Sequence, residues 1–169
     1  MLFNRKKNVI EERIEEANAL FDEFKPEDAY QAFIKLENEY PDNVNVLFAV
    51  AVAQNSTRRQ KLAIETLKKI LTIDKTHEDT LCILPTVTYE YAVQLSENDE
   101  KRLAKDYLLD FIKYDNGNKV DLACGYKELA SIEESFGNIE KAKEYLKIAL
   151  TMDKDNKVIR EHLNTLNGS

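Results

Sequence analysis

Along this chain apolar residues recur with a helical period, and short polar stretches interrupt that period at regular intervals. Eight alanines frame the pattern: Ala17 and Ala29, Ala51 and Ala63, Ala92 and Ala104, and Ala130 and Ala142 form four pairs, each separated by 12 residues. Four and seven positions after each second alanine stand Phe33 and Leu36, Leu67 and Ile70, Leu108 and Phe111, and Leu146 and Ala149. Those offsets hold three side chains on one face of a helix. The first alanines have apolar company on a preceding helix in Leu20, Val50, Tyr91, Leu95 and Leu129. Turn-like stretches separate the two helices at Phe24 to Glu27, Asn55 to Thr57, Ser96 to Asp99 and Phe136 to Asn138. Pro26 suits a first helical turn, Asn98 or Asp99 can cap a helix, and Gly137 can end one in a left-handed conformation before Asn138 caps the next. The pattern predicts a helical hairpin repeated four times. An alanine is needed on each helix, because antiparallel helices approach closely only where the facing side chains are small.

From one first alanine to the next the steps are 34, 41 and 38 residues, so the second and third exceed the first by seven and four. Those increments match two turns and one turn of α-helix, which lengthen a helix without moving its buried face. The first helix of the third unit is therefore expected to start early, near Thr76 or His77. Pro85 lies inside that helix and removes a hydrogen bond to the Leu81 carbonyl, so a kink or a fresh helix start is expected there. Beyond the fourth unit, Val158, Ile159, Leu163 and Leu166 have near-helical spacing. They predict a capping helix at 156–166, since a repeat array cannot leave its last apolar face open to water.

These residues resemble the tetratricopeptide repeat (TPR) family, whose unit of roughly 34 residues reads W-x2-L-G-x2-Y, then A-x3-F, then P. The fourth unit carries Tyr126, Leu129-Ala130, Gly137, Ala142-x3-Leu146 and Ala149. The first carries Ala17, Leu20, Ala29-x3-Phe33 and Pro41-Asp42-Asn43. The second and third carry Leu47, Val50-Ala51, Ala63-x3-Leu67, Tyr91-Ala92 and Ala104-x3-Leu108. Glu16 stands where the family has leucine, and Glu133 where it has tyrosine. The resemblance implies an all-α fold, a right-handed α-α superhelix of four hairpins plus the capping helix. It also implies one domain over 1–169, with units at about 10–43, 44–77, 78–118 and 119–156.

Composition narrows the picture. Of 169 residues only 4 are Gly and 3 Pro, which excludes a turn-rich β-sandwich or a Gly/Pro-rich disordered segment. The net charge of −7 opposes a broad nucleic-acid or anionic-membrane surface, because both are polyanions. No apolar run reaches the roughly 18 residues of a membrane span, and residues 1–10 lack a signal-peptide pattern. Cys82 and Cys124 make no CxxC spacing and are read as small buried thiols, so a cytoplasmic protein is expected.

Catalytic motifs are missing: there is no Gly-rich phosphate loop, GxSxG or HExxH, and neither cofactor nor metal is implied. His77 beside Glu78 and Asp79 reads as a helix start and His162 stands alone, while Glu11-Glu12, Glu15-Glu16 and Glu133-Glu134 read as solvated faces. A basic cluster of Arg58, Arg59, Lys61, Lys68, Lys69 and Lys75 reads as a helix face paired with acids such as Glu65.

By the resemblance, the first helix of each unit lines a concave groove for an extended peptide or a partner's helix. The groove candidates are Glu11, Ile14, Glu15, Asn18 and Phe21, then Asn45, Phe48, Val52 and Asn55. Tyr89, Glu90, Val93 and Glu97 follow, then Lys127, Ser131 and Glu134. Chaperone adaptors of this family grip a carboxylate with a basic clamp, whereas this surface offers Lys127 against five glutamates. It therefore suits a neutral-to-basic segment with apolar anchors on Phe21, Phe48 and Tyr89. The expected function is a non-catalytic adaptor, scaffold or assembly factor with a protein or peptide partner, and a homo-oligomer stays open. The alternative is a sensor of a signalling peptide acting on a protein target, since residues 1–9 leave no room for a DNA-binding helix-turn-helix.

Overall fold

The computed structural model describes residues 2–114 and 117–168. Among the described residues every regular element is an α-helix: α1 (Leu2–Asp22), α2 (Pro26–Glu39), α3 (Val44–Ser56), α4 (Gln60–Ile73), α5 (Glu78–Glu97), α6 (Lys101–Tyr114), α7 (Lys119–Ser135), α8 (Ile139–Met152) and α9 (Lys157–Gly168). α1, α3, α5 and α7 are the first helices of the four hairpins. Each ends five residues past its alanine, at Asp22, Ser56, Glu97 and Ser135. The second helices α2, α4, α6 and α8 all have 14 residues and begin three positions before theirs. The length differences therefore fall at one place. α3 has 13 residues, α5 has 20 and α7 has 17, so the extra seven and four lie entirely before the alanine, as whole turns. α5 starts at Glu78, beside the expected position. α1 starts at Leu2, eight residues ahead of the boundary expected near residue 10.

The connection inside every hairpin is the same three-residue turn. Its middle residue, seven positions after the first alanine, is left-handed: Phe24 (φ 59°), Arg58 (φ 61°), Asp99 (φ 66°) and Gly137 (φ 79°). The middle and last amide groups return to the preceding helix in the same way each time, as in Phe24 N–H to Phe21 O (2.9 Å) and Lys25 N–H to Leu20 O (2.8 Å). This is the Schellman arrangement, which satisfies carbonyls that a helix end leaves open. Three of the four left-handed positions carry a Cβ at a cost of roughly 1 kcal/mol each.

Several local expectations are corrected. α3 runs through Ser56, so its turn is Thr57 to Arg59 and not Asn55 to Thr57. Asp99 takes the left-handed place instead of capping α6, and Asn98 is the first residue of the same turn. Asn138 occupies the cap position of α8 but its side chain makes no cap bond; its Nδ2 donates to Glu133 Oε2 at 2.7 Å. α5 continues through Pro85 with no fresh start. The carbonyl that Pro85 leaves unbonded belongs to Leu81, an exposed residue that water reaches, while buried Leu84, Val87 and Thr88 anchor the same helix.

The chain packs as two compact units, one up to Thr80 and one from Leu81 onward. In the first, Ile10 and Ala17 of α1, Ala29, Phe33 and Leu36 of α2, and Val46, Val50 and Ala53 of α3 form one cluster. In the second, Ala92 and Leu95 meet Ala104, Leu108, Leu129 and Ile132, and Ile159 and Leu166 of α9 cover Ala142, Leu146 and Ala149. α9 is the expected cap, except that Val158 points to solvent. All eight pattern alanines are at most 2% exposed. A ninth close approach was not foreseen: a Cβ on Gly125 of α7 would sit 2.6 Å from the Phe111 ring.

The position three after each first alanine is buried or half-buried and alternates in character: Leu20, Gln54, Leu95, Glu133. Gln54 Oε1 accepts from Thr66 Oγ1 at 2.9 Å. Glu133, expected on a solvated face, is fully buried. Its Oε1 lies 2.7 Å from Lys105 Nζ and 3.2 Å from Lys141 Nζ, and its Oε2 accepts from Asn138. Burial alone would raise its pKa, but the bonds from Lys105, Asn138 and Lys141 win and hold it at about 2.

A carboxyl with a depressed folded pKa stabilises fully above its unfolded value, near 4.5, and loses that contribution as pH falls toward about 2. At neutral pH the shift corresponds to at most about 3 kcal/mol. Glu133→Ala should therefore destabilise by a few kcal/mol in denaturant titrations at pH 7. Glu133→Leu, which copies Leu20 and Leu95, should be near neutral and should flatten the loss of stability between pH 4.5 and 2. An unchanged acid profile in Glu133→Leu would contradict this assignment. Phe24 is 92% exposed, so Phe24→Gly removes strain without removing packing and should stabilise by about 0.5–1 kcal/mol. A fall in thermal midpoint would refute the strain argument.

Candidate functional site

Counting from the first alanine of each hairpin, four positions of the first helix share one face: six, three and two residues before it, and one after. In α1 these are Glu11, Ile14, Glu15 and Asn18, and in α3 they are Asn45, Phe48, Ala49 and Val52. In the unit ending at Thr80 all eight line one cleft of about 440 Å³, completed by His77 and Asp79 at the start of α5. Ile14, Phe48, Ala49 and Val52 are half-buried and supply the apolar lining. Glu11, Glu15, Asn18, Asn45 and Asp79 are exposed and supply the polar one. Among the described residues three of the lining residues are acids and none is Lys or Arg.

His77 closes one wall. Its ring lies 5.5 Å from that of Phe48, and its Nδ1 caps α5 by accepting the Thr80 N–H at 3.2 Å, with Thr80 Oγ1 at 2.8 Å. A backbone amide can only donate, so Nδ1 is the unprotonated nitrogen and the ring proton sits on Nε2. The expected helix-start role of His77 is thus real, and the same residue also lines the cleft.

Of the remaining candidates in this unit, Phe21 lies outside the cleft with its ring stacked at 6.4 Å on Phe33. Asn55 lies one turn beyond Val52, also outside it.

A second cleft of about 290 Å³ lies in the unit beginning at Leu81. Its walls are Cys82, Pro85, Thr86, Tyr89 and Glu90 of α5, Phe111 of α6, and Asp121 and Cys124 of α7. Thr86, Tyr89 and Glu90 occupy the same offsets as Glu11, Ile14 and Glu15, and Cys124 occupies that of Glu11 on α7. The Tyr89 and Phe111 rings lie 5.3 Å apart. Burial, then the nearby Glu128 carboxylate, pushes the Tyr89 hydroxyl up to about 12, and burial raises the Cys124 thiol, so both stay protonated at neutral pH. The reading of two buried thiols is corrected: Cys82 is exposed and Cys124 half-buried, because both line the open cleft, one from α5 and one from α7.

Val93, Lys127 and Ser131 do not line this cleft. Lys127 Nζ pairs with Glu128 at 3.0 Å, and Ser131 Oγ donates to the Lys127 carbonyl at 3.2 Å. Glu97 is exposed at the end of α5, and Glu134 is 2.6 Å from His162 Nε2 of α9, so His162 does not stand alone.

Two members of the basic cluster work inside the fold. Arg59 makes two 3.0 Å bonds to Glu27 and stacks 4.3 Å over Tyr30, and Lys69 Nζ donates to the Pro41 carbonyl at 2.6 Å. These bonds tie α4 and its turn back to the preceding hairpin. The sequence reading missed Ala49, His77, Asp79, Cys82, Pro85, Thr86, Phe111, Asp121 and Cys124 as cleft residues. Repeating the four offsets on every first helix would have found Ala49, Thr86 and Cys124; the others enter the clefts from neighbouring turns and helices.

No helix among the described residues is long and apolar enough to cross a membrane. No protein-family model and no curated protein matches the sequence. Solved structures do match. The C-terminal part of a TPR repeat-containing protein from Cytophaga hutchinsonii aligns with a TM-score of 0.67 at 15% identity, over 95% of this chain and 62% of that one. A MamA protein aligns with a TM-score of 0.59 at 21% identity, over 95% and 81%. MamA from Desulfovibrio magneticus RS-1 aligns with a TM-score of 0.55 at 16% identity, over 94% and 83%. Likeness at such low identity speaks for the fold, and together with the alanine pairs and the four repeated turns it gives one conclusion: this chain has the tetratricopeptide-repeat fold.

Proposed function

We propose that the chain is a non-catalytic protein-interaction module, an adaptor, scaffold or assembly factor that binds a segment of a protein partner on the faces of its first helices. The cleft between α1 and α3 carries this reading, because it gathers the four repeated positions of two consecutive hairpins around one half-buried aromatic ring, Phe48. A large apolar side chain left half open at the centre of a polar rim is the usual anchor site of an interface. Glu15 and Asp79 on that rim favour a neutral-to-basic segment and disfavour an acidic one. The same sign of charge recurs at Glu90 and Asp121 beside Tyr89. Nucleic acid fits such clefts poorly. A cytoplasmic location belongs to this reading, since an exposed free thiol such as Cys82 persists best in a reducing compartment.

The test is a fluorescence-anisotropy titration with two end-blocked ten-residue peptides, one with a central leucine flanked by lysines and one with the same leucine flanked by glutamates. The lysine peptide should bind about tenfold more tightly at low salt, with the difference shrinking as salt rises. Phe48→Ala should weaken it by a further tenfold or more. Tighter binding of the glutamate peptide, or equal binding by Phe48→Ala, would overturn the assignment.

A further inference from the structure

We infer that the α1/α3 cleft takes its partner as an extended strand and not as a helix, and that His77 reads the strand's main chain through Nε2–H. The inference rests on the peptide-binding reading above and adds to it which conformation is selected and which residue selects it. The cleft contains three side chains able to donate hydrogen bonds: the amides of Asn18 and Asn45 and the His77 ring. Neither amide has a partner among the described residues, and His77 uses only Nδ1, in capping α5. Because Thr80 N–H occupies Nδ1, the His77 donor is fixed on Nε2, and contact with Phe48 fixes the plane of the ring.

Donors of this kind seek free carbonyls. A helical ligand spends its carbonyls on its own backbone, whereas an extended segment presents one at every residue. An asparagine amide can donate to and accept from such a strand at once. An apolar side chain of the strand then rests on Phe48 beside His77, and its cationic side chains lie toward Glu15 and Asp79, both of which line the same cleft. A lysine in place of His77 would put a mobile charge in the cleft and leave the helix start uncapped. The histidine instead supplies a neutral, oriented donor without giving up the cap.

The helix-start role and the binding role separate cleanly by substitution, because asparagine is among the best capping residues and lacks the ring donor. The lysine-flanked leucine peptide is titrated against the wild type, Phe48→Ala and His77→Asn, and the same peptide locked as a helix by a side-chain lactam is titrated against the wild type. His77→Asn should keep the thermal midpoint of the wild type and lose at least fivefold in affinity, and the helix-locked peptide should bind at least fivefold more weakly than the linear one. Imidazole nitrogen NMR of the free protein should show the Nε2–H tautomer, and the linear peptide should shift that signal. Wild-type affinity in His77→Asn, tighter binding of the locked helix, or an Nδ1–H tautomer would each overturn the inference while leaving the Phe48-dependent binding standing. A wild type that binds neither form would overturn both it and the peptide-binding reading.

Discussion

Close approach of two helices at a pair of alanines is the constraint on which the rest of this molecule depends. All eight alanines are at most 2% exposed, and their common spacing of 12 residues sets where each hairpin turns. The left-handed residue falls seven positions after the first alanine in every hairpin, whether the residue there is Phe, Arg, Asp or Gly. That three hairpins tolerate a Cβ in this conformation indicates that packing dictates the turn, and local preference follows. Extra length enters α5 and α7 as whole turns before the alanine, where it leaves the packed face in register.

The same register builds the binding surface. Positions that face away from the hairpin partner at fixed offsets from the alanine come together on successive first helices, so a cleft arises from periodicity alone in α1 and α3. What is specific to this chain is the choice of residue at those offsets and the groups added from neighbouring turns. Acids on the rim, Phe48 in the middle and a histidine locked by its capping bond make a surface with a defined charge and a defined donor. The buried polar positions, Gln54 bonded to Thr66 and Glu133 ion-paired with Lys105 and Lys141, lie within their own units and stay out of both clefts.

Period, hairpin count, insertion lengths and capping helix were legible because each depends on offsets within the chain. Seven of the sixteen groove candidates, Glu11, Ile14, Glu15, Asn18, Asn45, Phe48 and Val52, stand together in the first cleft for the same reason, and Tyr89 and Glu90 in the second. Groups whose surroundings come from another helix were not legible. Glu133 looks like any surface glutamate until Lys105, from the preceding hairpin, reaches it, and Phe21 looks like a groove anchor until Phe33 takes its ring. Cys82 looks core-like by its neighbours, yet the extra turns of α5 place it on a cleft wall. Pro85 starts no new helix: α5 continues through it, anchored on either side by buried Leu84 and Val87.

The central claim is that the faces of the first helices, and not the basic face of the second helix of the second hairpin, receive the partner. The most direct measurement is amide and methyl NMR shift mapping during titration with the lysine-flanked leucine peptide. The account predicts shifts concentrated at Ile14, Asn18, Asn45, Phe48, Val52 and His77, with Arg59, Lys61 and Lys69 unmoved. Shifts concentrated on Arg59, Lys61 and Lys69, with the α1/α3 cleft unmoved, would contradict it.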